Sequence, residues 1–307
     1  MFYFCKFKGL FMAKIKEKTE DNTIQSVYIN PLTDFGFKKI FLNKELLINF
    51  LNDVVGMSFK EVTYLPTEGL GEYKEERATN FDLLCTNEKD EYFIVEMQLG
   101  EQSFFKDRVL FYASHVIRKQ APRKKRWDFN LKAVYVVSIL NFITFKEDSA
   151  KNEVIERVFL YREKSKTLFS EKLKIIFIEL PKFNKQPTEL KNNTDTWLFL
   201  LKNTLELKTC PPEINGKIFK LFLEIAAVKH LTSKEMETYK KSLEHNYYVR
   251  NIADCARLEG KIEGRMEERR QVAAKLLIKG ASIEEVMYLT ELSKEQILEV
   301  LEEIPKS

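Results

Sequence analysis

The chain has 307 residues, 44% apolar and 31% charged, which supplies enough apolar content for a sizeable core and excludes wholesale disorder. Its 50 basic and 46 acidic side chains leave a net charge of +4, so any surface for nucleic acid has to be local. Four cysteines (Cys5, Cys85, Cys210, Cys255) and three histidines (His115, His230, His245) are scattered, which disfavours a disulfide framework, a zinc site or an imidazole-centred catalyst and leaves carboxylates to carry any chemistry.

Residues 1–28 read as a variable N-terminal segment. Met1 to Leu10 is aromatic but broken by Lys6 and Lys8, with no small-residue cleavage site after it, so it does not read as a signal peptide, and Met12 is the expected start. No apolar run approaches the roughly 18 residues of a membrane span, and a cytoplasmic protein with no membrane partner is expected. Thr33 to Leu51 carries Phe37, Ile40, Phe41, Leu47, Ile48 and Leu51 at helical spacing, which predicts one amphipathic helix capped by Thr33 or Asp34 and ended by Gly56. Strands are predicted over Glu61 to Leu65, Thr79 to Thr86 and Glu91 to Leu99, the last two joined by the polar turn Asn87 to Asp90. Ser103 to Lys119 reads as a helix. Ala133 to Leu140 reads as a strand covered on both faces, and Val154 to Tyr161 and Leu173 to Leu180 as two more strands.

After Pro187 the pattern turns helical, with helices over Glu189 to Leu207, Ile214 to His230, Lys234 to Glu244 and about Tyr248 to Ile278. Gly260 and Gly264 share one face of the last, and glycine costs a helix about 1 kcal/mol against alanine, so the pair suggests close approach of a partner helix. Gly280 stops that helix. Ser282-x-x-Glu285 and Ser293-x-x-Gln296 predict two short capped helices.

The chemistry-bearing residues fall on the predicted hairpin. Asp82 stands between apolar neighbours in Phe81 to Cys85, and period-two geometry puts Glu96 and Gln98 on one face of Phe93 to Leu99. If the two strands pair around the short turn, Asp82 lies across from Glu96. Spacing alone leaves two readings open. Acids in strands are commonly solvated, whereas two converging carboxylates make an oxygen-rich site suited to Mg²⁺ or Mn²⁺. The apolar Phe93 to Val95 favours burial, where an unpaired acid is costly.

Thr33 to Phe41 (TDFGFKKIF), Asn80 to Leu84 (NFDLL), Ile94 to Gln98 (IVEMQ) and Arg108 to Tyr112 (RVLFY), in this order, resemble the Rpn family of recombination-promoting nucleases and transposases, within the PD-(D/E)XK superfamily. The resemblance extends from about Ile29 through the late Glu-Gly repeats and the short helical tail. The predicted elements run α-β-β-β-α-β with extra strands over 29–185, then a helical region over 186–246 and a long helix with a short acidic tail over 247–307, an α/β order whose core the resemblance identifies as restriction-endonuclease-like. The resemblance also implies Mg²⁺-dependent DNA endonuclease activity with Asp82 and Glu96 as metal ligands. The superfamily places a lysine two residues after the glutamate; here Gln98 stands there, as in the Rpn group. Glutamine can orient an attacking water but cannot stabilise charge as a cation would. Lys38 or Lys39 could supply that cation. Asp34 is either a further carboxylate of the site or a helix cap. Arg108 and Tyr112 share a helical face, where Arg108 either contacts phosphate or pairs with a nearby acid.

Arg118 to Arg126 carries six basic residues and no acid, and Arg123, Lys124, Lys125 and Arg126 are its candidate phosphate contacts; alone, such a segment is a solvated turn, while beside a nuclease core it reads as a DNA contact. The tail from Ala281 to Glu303 has seven glutamates and one lysine, the wrong sign for a recognition helix, and reads as a capping or protein-contact unit. Arg257 to Arg270 alternates five basic and four acidic residues, which fits a solvated or coiled helix through which the chain could self-associate. Beside the endonuclease, two other functions remain open: a catalytically inactive nuclease fold that binds DNA, and an oligomeric helical scaffold.

Overall fold

Residues 26–67, 81–121, 127–147 and 152–304 are described by the computed structural model. They fall into two compact units, one ending at Tyr248 and the other starting at Val249. Arg123 to Arg126, Thr79 and Asn80 lie outside the described residues, as does most of the N-terminal segment.

Thr33 caps the first helix, α1 (Asp34–Phe41), by accepting the Gly36 N–H at 2.9 Å. Gly36 is required here, because a Cβ would stand 2.0 Å from the Asn30 carbonyl oxygen. The single helix predicted over Thr33 to Leu51 is two: Asn43 accepts the Leu46 N–H at 3.1 Å and starts α2 (Lys44–Val55) afresh. The apolar stripe continues across this break, so periodicity alone did not reveal it. Gly56, at φ 77°, ends α2 as expected.

Six strands form one sheet, β1 (Val62–Tyr64), β2 (Leu83–Asn87), β3 (Tyr92–Gln98), β4 (Val134–Leu140), β5 (Ile155–Tyr161) and β6 (Leu168–Glu179), in the order β1-β2-β3-β4-β6-β5. β2 pairs antiparallel with both β1 and β3, β3, β4 and β6 run parallel, and β5 is antiparallel to β6. The parallel step from β3 to β4 is spanned by α3 (Phe105–Lys119). The α-β-β-β-α-β order expected of the core is thus present, and β6 begins five residues before the predicted strand, at Leu168.

Each sheet face packs on a different helical layer. Leu83, Cys85, Phe93, Val95, Met97, Val137 and Ile139 point to a core shared with α1, α2, α4 (Asn193–Asn203) and α5 (Lys217–Ala226). Trp197 of α4 is at its centre, within 5.1–6.5 Å of the rings of Phe41, Phe50, Phe219 and Phe222. Leu84, Ile94, Val134, Val136 and Phe177 point the other way, onto Phe105, Val109, Ala113 and Val116 of α3. This second face carries the acids.

The helices predicted over Lys234 to Glu244 and Tyr248 to Ile278 are one continuous helix, α6 (Ser233–Ile278). Gly260 and Gly264 have nothing among the described residues within 4 Å of where a Cβ would stand, and residues 254–265 are all exposed, so no described helix of their own unit packs on them. In the second unit Ala273, Val286, Leu292, Ile297 and Val300 form a small core joining α6 to α7 (Ile283–Thr290) and α8 (Lys294–Glu303). Arg270 pairs with Glu299 at 3.1 Å and Glu303 at 2.8 Å, and Arg269 pairs with Glu291, so part of the acidic tail is neutralised by the chain's own arginines. Ser282 and Ser293 both cap as expected; only Ser293 has the reciprocal bond, its own N–H donating to Gln296 Oε1 at 2.9 Å. No helix among the described residues is long and apolar enough to cross a membrane.

Candidate active site

The hairpin turn fixes which residues meet. Leu84 pairs with Ile94 and Leu83 with Val95, so one step further Asp82 stands opposite Glu96. The Met97 N–H donates to Asp82 Oδ2 at 2.8 Å, locking the aspartate against β3 just where β2 begins. Both carboxylates belong to the face covered by α3. On the other flank of β3 the register puts Ser138 of β4 beside Glu96, and Gln98 beside Leu140. The row across the sheet therefore reads Asp82, Glu96, Ser138.

From above, α3 lowers Arg108 onto this row. The helix starts after Phe104, which holds a left-handed φ of 60°, uncommon for a residue with a bulky side chain. Arg108 Nη2 comes within 3.8 Å of Glu96 Oε2, an ion pair too long for a hydrogen bond. Its Nη1 donates to Gln102 Oε1, and the guanidinium lies 5.2 Å from the Phe105 ring and 5.7 Å from that of Tyr112. Tyr112 in turn meets Phe81 edge-on at 5.1 Å. Of the two expectations for Arg108, pairing with an acid is realised, and the acid is Glu96.

The pair leaves buried polar atoms without partners: Glu96 Oε1, Arg108 Nε and Nη2, and Ser138 Oγ form no hydrogen bonds. Buried polar groups are normally satisfied, so these orphans clustered around one carboxylate call for a ligand or water. Electrostatics agrees. Burial, followed by the charge of Asp82, pushes Glu96 up to about 8, against the pull of Arg108 and the Asp82 N–H. Burial also raises Asp82, with Asp34 adding to the rise and the Met97 N–H, Lys38 and Arg108 opposing it. Asp34 and Lys38, one turn apart on α1 and paired at 2.8 Å, are therefore close enough to act on Asp82.

Asp34 is not the helix cap, since Thr33 fills that role. Lys39 points elsewhere, into an ion pair with Glu235 at the start of α6. Gln98 is half-buried at the end of β3, its carbonyl accepting the Asn141 N–H at 2.9 Å. Sequence reasoning missed Ser138; the available signal was a lone hydroxyl in the otherwise apolar Ala133 to Leu140. It also missed Glu179, fully buried at the end of β6, which accepts the N–H groups of Thr144 and Phe145 and pairs with Lys182 at 2.6 Å. This pair fastens the loop after β4. Among the described residues, no three or more His, Cys, Asp or Glu side chains are gathered to hold a metal ion.

A family model described as PD-(D/E)XK nuclease family transposase matches residues 31–254. No curated protein and no solved structure matches the chain.

Proposed function

The chain belongs to the PD-(D/E)XK nuclease family transposases, and from that premise we propose that it is a divalent-metal-dependent DNA endonuclease of recombination or transposition type, hydrolysing phosphodiester bonds. The observation that carries the reading is the buried, half-satisfied Glu96 carboxylate facing Asp82 across the hairpin, with a guanidinium 3.8 Å away.

The donors suit Mg²⁺ or Mn²⁺: both are hard oxygens, and Glu96 Oε1 has no other partner. Two carboxylates are few for an all-protein cage, but Mg²⁺ is commonly held by one or two carboxylates, waters and substrate phosphates. The chemistry such an ion supplies when bound is polarisation of a phosphoryl oxygen and a more acidic bound water.

The chain's own residues do the rest. Gln98, on the face of Glu96, orients the attacking water through its amide. Arg108 holds its guanidinium within the site beside Glu96, its Nε–H and Nη2–H buried and without hydrogen-bond acceptors. It thereby brings a fixed positive charge to a site where Gln98 cannot carry one. Lys38 adds a second cation near Asp82, with Asp34 as its counter-charge. Tyr112 braces the Arg108 guanidinium. Arg123, Lys124, Lys125 and Arg126 would extend the phosphate track, and Lys39 would join it only by leaving Glu235.

Purified protein should nick supercoiled plasmid with Mg²⁺ and stop on chelation. Asp82→Asn keeps an oxygen to accept the Met97 N–H while removing the charge, so it should fold normally and lose nicking at least about 100-fold. Unchanged nicking in Asp82→Asn would refute the site. The absence of lysine at Gln98 favours the second reading, a silent nuclease fold that binds DNA; salt-sensitive DNA binding with no cleavage under Mg²⁺ or Mn²⁺ would select it.

A further inference from the structure

Ser138 is fully buried in β4, and its hydroxyl has no hydrogen-bond partner. Its neighbours in the strand are Val136, Val137, Ile139 and Leu140, all of them buried and apolar. A buried hydroxyl without a partner costs roughly 1–3 kcal/mol relative to a satisfied one, so an apolar residue would serve the fold better at this position. Packing therefore does not account for it.

The register does. Ser138 is the direct partner of Glu96 across the parallel β3–β4 pair, on the side of Glu96 away from Asp82. Side chains paired this way on one sheet face stand about 5 Å apart, within reach of a hydrogen bond after a small rotation. Glu96 has a matching deficit, since its Oε1 is buried and accepts nothing. A donor without an acceptor thus lies beside an acceptor without a donor. Arg108 does not remove the deficit, because its contact is to Oε2 and is longer than a hydrogen bond.

We infer that Ser138 is a positioning residue of this site: its hydroxyl donates to the Glu96 carboxylate and fixes the orientation in which that carboxylate and Asp82 face a divalent cation together. Groups that hydrogen-bond a metal-binding carboxylate from behind commonly tune metal affinity by 10- to 100-fold without touching the ion. Ser138 adds a support of Glu96 to those from Arg108 and the Asp82 N–H. The inference rests on the metal reading of Asp82 and Glu96, and the experiment separates the two.

Mn²⁺ alone is titrated into the full chain, and free ion is followed by its paramagnetic resonance signal. Wild type, Ser138→Ala, Ser138→Cys and Asp82→Asn are compared, each with a melting curve. Ser138→Ala should bind Mn²⁺ about 10-fold more weakly, while melting, without added ion, close to the wild-type temperature, since the hydroxyl makes no hydrogen bond in the structure. Ser138→Cys, similar in volume but a weak donor, should behave like the alanine variant. Wild-type affinity in Ser138→Ala, with binding lost in Asp82→Asn, would overturn the positioning role and leave the metal site standing. A loss in Ser138→Ala that cysteine restores fully would also overturn it, since volume rather than donation would then matter. Wild-type affinity in Asp82→Asn, or no binding by the wild type, would bring down the metal reading and this inference with it.

Discussion

In chelated buffer, Glu96→Gln should melt at a higher temperature than the wild type at pH 8 and at nearly the same temperature at pH 5, while Mg²⁺-dependent nicking falls by about 10³-fold. The cause is the burial of Glu96, which is 4% exposed and pushed from 4.5 up to about 8. Between those values the folded protein keeps a proton that the unfolded chain has released. Stability is therefore lost progressively as pH rises through this window, and the loss is complete once the folded-state group has also ionised. Glutamine carries the same shape without the charge and escapes the loss, which amounts to a few kcal/mol and a melting difference on the order of 5 °C or more. Asp82 is raised in the same direction by the same cause, so some pH dependence should survive in the variant. Differential scanning calorimetry across pH 5 to 8 reads the first effect and plasmid nicking the second. Parallel melting profiles for the two proteins would show that Glu96 does not titrate as a buried acid, and intact nicking would remove it from the site.

The largest loss of stability is expected from Trp197→Ala, about 3–5 kcal/mol. Trp197 is fully buried where α4 meets α2 and α5, its ring 5.6 Å from Phe50, 5.1 Å from Phe219 and 6.0 Å from Phe222. Its Nε1–H donates to Asp53 Oδ2 at 2.8 Å, which ties the end of α2 to α4. Alanine would leave both a cavity and a carboxylate deprived of its indole donor. Trp197→Phe keeps most of the volume but also loses the indole donor, so it should cost clearly less than alanine, and the cost that remains reports on the Asp53 bond. Urea unfolding checks this: the midpoint should fall with little change in slope. A shift under about 1 kcal/mol would mean that the aromatic cluster is not the keystone of this core.

The core order and the Asp82–Glu96 pairing were legible in the sequence for the same reason. A short turn between two strands fixes register, and register fixes which side chains oppose one another. The Arg108–Glu96 contact was not legible as a specific pair, because it depends on how α3 crosses back over the sheet. Ser138 was visible only as a chemical oddity in an apolar strand, and its meaning came from the parallel pairing of β3 with β4. The break at Asn43 was hidden because its apolar stripe runs through it, whereas the continuity of α6 had a readable signal, since no Gly or Pro separates its halves between Glu244 and Tyr248. The basic segment from Arg123 to Arg126 keeps its status as an expectation read from charge.

The bare turn around Gly260 and Gly264 has a consequence for the life of the protein outside the test tube. With two glycines, no described side chain packed over them and every residue from 254 to 265 exposed, this stretch of α6 is held by little beyond its own backbone hydrogen bonds. Its amide hydrogens should exchange with deuterium sooner than those of either flank of α6, and a protease given brief access should cut there first. The cut would split the chain into a short acidic C-terminal piece and a longer one that carries Asp82 and Glu96, which a denaturing gel would separate.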